Sequence, residues 1–158
     1  MNLQLLSDLH LETEVFDPQP APGAELLVLA GDIDATWDGL ARFAGWPVPV
    51  LFVPGNHEFD GRAYEDVLPA LRAQCTALGI RLLHRESTIV TAADGQRVRF
   101  VGTVRWSDFD LFGVVVDRES FALHLDATRH LDLDRGAVEV DDQCPVVGLA
   151  VQQRIVAM

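Results

Sequence analysis

Three short blocks hold the side chains of this chain that could do chemistry: Asp8-Leu9-His10, Gly31-Asp32-Ile33-Asp34 and Gly55-Asn56-His57-Glu58. They offer carboxylates, imidazoles and one amide oxygen, which are donors for a divalent cation. A mixed set of this kind suits Mn, Fe, Zn or Ni and argues against a thiolate site. Asp8 and His10 stand at i and i+2, so on a continuing strand both would face the same side. Asp32 could share its two oxygens between two ions, while Asn56 adds an amide oxygen and His57 an imidazole. Two ions about 3.5–4 Å apart would activate a bridging water and clamp a phosphoryl group.

Each block follows an apolar run: Leu3 to Leu6, Leu26 to Ala30, and Val50 to Val53. Runs of this length, bounded by Gly and Pro, read as buried strands of a parallel sheet. Ligands in such sheets collect past the carboxyl ends of the strands. Three successive strands would then deliver their donors to one edge.

The rest of the pattern fits the same class. Residues 13–24 are Pro-rich and polar and read as a loop. Trp37 to Ala44 has helical spacing. Gly61 to Leu78 is the clearest helix, with Tyr64, Val67, Leu68, Leu71, Cys75 and Leu78 on one face and Gly79 as its stop. Pro69 falls inside it and is expected to kink or split it. Arg81 to Leu83 reads as a fourth strand, and Ser87–Val90 and Arg97–Gly102 flank the turn signal Ala93-Asp94-Gly95. The expected fold is α/β, a mostly parallel sheet flanked by helices. After Gly113 the signal fades. Val114–Val116 suggests a strand and Ser120–His130 a helix, and the apolar tail from Cys144 has no clear period. The division is therefore 1–113 and an unassigned 114–158.

The 158 residues carry 24 acids against 12 bases, all Arg, for a net charge of −12. That field repels a nucleic-acid backbone or an anionic membrane surface. No apolar run approaches the roughly 20 residues of a membrane helix. The start of the chain shows no secretory pattern. Cys75 and Cys144 lack metal-type spacing and read as free thiols of a cytoplasmic protein.

The three blocks, in this order and each after a strand, resemble the first signature blocks of the calcineurin-like metallophosphoesterases. The similarity covers roughly residues 1–113, including Gly102 to Trp106. It implies the first half of an αββα sandwich. It also implies that Asp8 and His10 hold a first metal, Asp32 bridges two, Asn56 holds the second, and His57 protonates the leaving group. Asp34 or Glu58 is expected to orient His57. The implied activity is hydrolysis of a phosphate mono- or diester, on a small molecule or a phosphoprotein.

The family supplies later histidines: one after a further strand, and two in a Gly-His-x-His block. This chain has only His84, His124 and His130 beyond the three blocks, and none stands in such a context. Weak binding of a single ion and impaired turnover are therefore expected. The alternative readings are a non-catalytic metal-binding remnant and an interaction module. Half a sandwich would leave apolar sheet open and favour self-association.

Overall fold

The computed structural model describes residues 1–105 and 146–152, with side chains described for residues 1–104. The expected second-half strand and helix, His124, His130, Cys144 and the boundary at residue 113 lie outside the described residues.

Four strands form the parallel sheet in the order β1-β2-β3-β4. They are β1 (Leu3–Leu6), β2 (Leu26–Ala30), β3 (Val50–Val53) and β4 (Ile80–Leu82). In register, Leu3 faces Leu26, Val28 faces Leu51, and Phe52 faces Leu82. β2 and β3 are apolar throughout because both faces of the sheet are covered. Leu27, Leu29, Val50, Phe52 and Ile80 pack against Leu40 and Phe43 on one side, together with Val67, Leu71 and Cys75. Leu26, Val28, Leu51 and Val53 pack on the other side against Val98 and Phe100.

The helical layer has two parts. The spacing from Trp37 to Ala44 yields a 3₁₀ helix, Asp38–Phe43, entered through Trp37 at φ 74°. The long helix α1 spans Tyr64–Ala77 and starts three residues later than the spacing predicts. Val67, Leu71 and Cys75, at i, i+4 and i+8, form its buried face. Glu65 and Asp66 lie in its first turn, where the helix dipole favours acids. Pro69 does not split α1. It sits exposed within one continuous helix, where the fourth-preceding carbonyl can turn to water.

The second sheet has the order β5-β6-β7, with β5 at Glu86–Thr91, β6 at Arg97–Arg105 and β7 at Val146–Gln152. β5 and β6 form the expected antiparallel hairpin, and β7 joins β6 in parallel. Gly102 lets β6 press onto the first sheet: a Cβ there would lie 2.6 Å from Leu83 Cβ and 2.8 Å from Val53 Cγ2. The sheet face expected to stand open is thus covered over β2 and β3. Leu3 and Leu5 on edge strand β1 are left 44% and 61% exposed.

Candidate metal centre

Leaving β1, the chain does not continue as a strand. Asp8 and His10 both take left-handed backbone, at φ 52° and 45°, and Asp32 does so at φ 53°. Such conformations in non-Gly residues store strain, and they cluster at functional sites. Backbone bonds tie the two loops together: Asp8 N–H to Gly31 O at 3.0 Å, His10 N–H to Asp32 O at 3.1 Å, and Leu11 N–H to Ile33 O at 2.9 Å. His10 is thereby fixed beside Asp32.

The third block is fastened from inside. Glu58 is fully buried, and its carboxylate accepts from the amides of Asp32 (3.1 Å), Ile33 (2.7 Å), Asp34 (3.4 Å) and Gly55. Burial raises the Glu58 pKa, with the Asp32 charge adding to it, and the amide bonds pull only partly against that. Trp37 Nε1 donates to Glu58 O at 2.9 Å. Asp34, also buried, accepts from Thr36 N (2.7 Å), Thr36 Oγ1 (2.6 Å), Trp37 N (3.2 Å) and Gly39 N (2.7 Å). A Cβ at Gly39 would come within 2.4 Å of Asp34 Oδ2, so only glycine fits there. Arg62 lies over the Trp37 ring at 4.1 Å and donates to Ala35 O at 2.7 Å. These bonds join the loops after β2 and β3 into one rigid edge.

On that edge, His10, Asp32 and His57 each offer a ligand atom, all within 4.8 Å of one another. The two rings meet edge-on, with centroids 4.9 Å apart. His57 N–H donates to Asp32 Oδ1 at 3.0 Å. Asp8 is exposed and is not a member of this group. Asn56 is half-buried where the short 3₁₀ helix His57–Phe59 begins, and its carbonyl accepts from Phe59 N–H at 2.8 Å.

Neither Asp34 nor Glu58 orients His57. Both are consumed by backbone amides, and the partner of His57 Nδ1 is Asp60 Oδ2 at 2.7 Å. The i, i+3 spacing of His57 and Asp60 on a helical turn is the signal that points to it. On the other ring, His10 Nδ1 meets Glu12 Oε1 at 3.2 Å, and Glu12 Oε2 accepts from Ala35 N–H at 3.0 Å. Burial works to lower the His57 pKa, but the Asp60 hydrogen bond and the charges of Asp32, Asp60 and Glu12 leave it raised. Burial likewise works to raise the Glu12 carboxyl, and the amide bond from Ala35 with the His10 contact leaves it lowered.

His84 lies just past the end of β4, buried beside Tyr64 Oη at 3.4 Å. It is outside the three-residue group. The donors that are grouped, two imidazoles and a carboxylate, fit one borderline divalent ion.

No family model and no curated protein sequence matches the chain. No helix among the described residues is long and apolar enough to cross a membrane.

Proposed function

We propose that this protein is a metal-dependent phosphoesterase of the calcineurin-like type, acting on a phosphate mono- or diester. The observation that carries the reading is the convergence of His10, Asp32 and His57 at the carboxyl edge of the parallel sheet. The resemblance of the three sequence blocks supports it, as does a second sheet stacked on the first. A divalent ion such as Mn, Fe, Zn or Ni would supply Lewis acidity toward a phosphoryl oxygen and lower the pKa of a water.

The chain's own residues prepare that chemistry. Asp32 and His10 hold donors in fixed left-handed turns, and Glu58 fixes the loop that carries Asp32. The acidic charge of the chain favours a phosphate-ester small molecule or a phosphoprotein over a nucleic acid. A cytoplasmic setting goes with this reading and is supported by Cys75, a buried free thiol. Self-association goes with it too, supported by Leu3 and Leu5 on edge strand β1; sedimentation as a monomer at high concentration would remove it.

A second reading, a metal-binding remnant without turnover, is favoured by the position of Asp8 outside the donor group. One assay separates the two. Hydrolysis of bis(p-nitrophenyl) phosphate and p-nitrophenyl phosphate is measured with Mn²⁺, with chelator, and in Asp32→Ala. Slow turnover lost in the latter two supports the enzyme. Ion binding without turnover supports the remnant, and loss of both overturns the proposal.

A further inference from the structure

We propose that His84 is a proton-released pin between the two sheets. Neutral, its ring holds the Val104 amide of β6 and the Tyr64 hydroxyl of α1; charged, it keeps Tyr64 and lets Val104 go. The proposal stands apart from the metal centre and from ester hydrolysis.

The pairing of β5 with β6 shows why a side chain is needed at this place. Glu86 faces Gly102 in the antiparallel ladder, and the same register carried on would set His84 opposite Val104. The ladder stops at Glu86 instead, because Arg85 takes left-handed backbone at φ 56°. The buried Val104 amide then meets a ring in place of a strand carbonyl: it donates to His84 Nδ1 at 3.5 Å. A backbone N–H can only donate, so Nδ1 must carry a lone pair. A neutral imidazole then has its hydrogen on Nε2, and Nε2 meets Tyr64 Oη at 3.4 Å. One tautomer serves both contacts. His84 lies just past β4, Tyr64 opens α1 and Val104 belongs to β6, so a single ring joins the helical layer to both sheets.

A proton on Nδ1 undoes one side of this arrangement. Two N–H groups would face each other across the contact with Val104, and no bond can form. The contact is long and weak enough for one proton to break it. On the other side Nε2 keeps its hydrogen, so the bond to Tyr64 survives. The ring therefore leaves β6 and stays with α1, which opens the seam between the sheets at the carboxyl edge.

The surroundings set the pH at which this happens. Burial disfavours the charged ring, and Arg85 and Arg72 add like charge. Glu86 opposes them but is itself bridged to Arg72 at 2.8 Å. Tyr64 stays neutral, since burial raises its pKa, and Glu65, exposed on the first turn of α1, acts on Tyr64. His84 is thus held below the ordinary histidine range. The pin is closed above about pH 6.5 and opens as the pH falls through the lowered value.

The experiment follows the full chain by ¹⁵N NMR from pH 8 to 5 in chelator, with amide hydrogen exchange at each pH. At pH 8 the His84 ring is expected as the Nε2–H tautomer. On acidification the Val104 amide should shift with the midpoint of the His84 ring, and its protection factor should fall about tenfold. Phe100 and Gly102 should keep theirs, and the Tyr64 ring should keep its stacking on Phe59, 5.3 Å away at pH-independent distance. In His84→Asn the side-chain Oδ1 accepts in place of Nδ1 and takes up no proton, so Val104 should stay protected down to pH 5. In His84→Leu its protection should be low throughout.

An Nδ1–H tautomer at pH 8 overturns the proposal. So does a Val104 amide indifferent to the His84 titration, or one that responds as strongly in His84→Asn. A loss of protection spread evenly over β6 overturns it too, because that is unfolding of the strand and not release of one contact.

Discussion

Setting aside Asp8 and the buried donor Asp32, four carboxylates of the three sequence blocks and their flanks divide into two pairs. The inner pair, Asp34 and Glu58, is buried and surrounded by backbone amides. The outer pair, Glu12 and Asp60, lies nearer solvent, and each acid meets an imidazole, Glu12 also accepting from the Ala35 amide through its other oxygen. The same functional group does opposite work according to depth. A buried carboxylate must satisfy its lone pairs locally, and loop amides are the nearest donors. It becomes part of the scaffold. An outer carboxylate keeps water as an alternative, so it can hold an imidazole without being indispensable to the fold.

The strongest test of this division is Glu58→Ala. It would strand the amides of Asp32, Ile33, Asp34 and Gly55 in a buried loop. Buried unsatisfied donors cost about 1–3 kcal/mol each. With relaxation and entry of water, a loss of about 3 kcal/mol or more is expected in urea unfolding. Asp34→Ala comes next, at about 2 kcal/mol. It is smaller because Thr36, which supplies two of the four donors, is exposed and can turn to water. A midpoint unchanged in Glu58→Ala would break the comparison at once.

The outer pair sharpens it from the other side. Asp60→Ala should cost no more than about 1 kcal/mol in metal-free buffer, as an exposed ion pair does, and Glu12→Ala somewhat more, because it also frees the Ala35 amide, but well below Glu58→Ala. The same variants should show their effect in cation affinity. If either unfolds the protein as far as Glu58→Ala does, depth is not what separates the two pairs.

Much of the scaffold was legible because β1, β2 and β3 are short apolar runs cut off by turn residues. Their bounds coincide with the runs Leu3–Leu6, Leu26–Ala30 and Val50–Val53. β4 lies one residue earlier than its apolar run suggests, at Ile80–Leu82. β7 was not legible: Val146–Gln152 has no alternation, and an apolar run by itself does not separate strand from helix. The site was legible as a set of residue types but not as a geometry. The i, i+2 argument for Asp8 and His10 assumes extended backbone, and both residues turn left-handed instead. That turn leaves Asp8 exposed and sets His10 beside His57. The partners Glu12 and Asp60 depend on those turns, whereas Asp34 and Glu58 are nearer in the motifs but claimed by amides.

The smallest expected effect extends the comparison from carboxylates to histidines. His84 is buried, and burial, with the charges of Arg85 and Arg72, lowers its pKa. His57 lies nearer the surface. Burial opposes its charging, yet the Asp60 hydrogen bond and neighbouring acids leave its pKa raised. The two should therefore act on stability with opposite signs. For His84 the unfolded chain binds the proton more readily, so its contribution is full above about pH 6.5 and falls as the pH drops below that. For His57 the folded chain binds the proton more readily, so its contribution is full below about pH 6.5 and fades as the pH rises through the raised value. Urea midpoints from pH 5 to 8, in chelator, should accordingly diverge. His84→Gln should lose less stability than the parent on acidification, because the penalty of charging a buried ring is gone. His57→Gln should lose more, because the acid-side gain is gone. Parallel pH profiles for the two variants would show that depth does not govern the imidazoles as it governs the carboxylates.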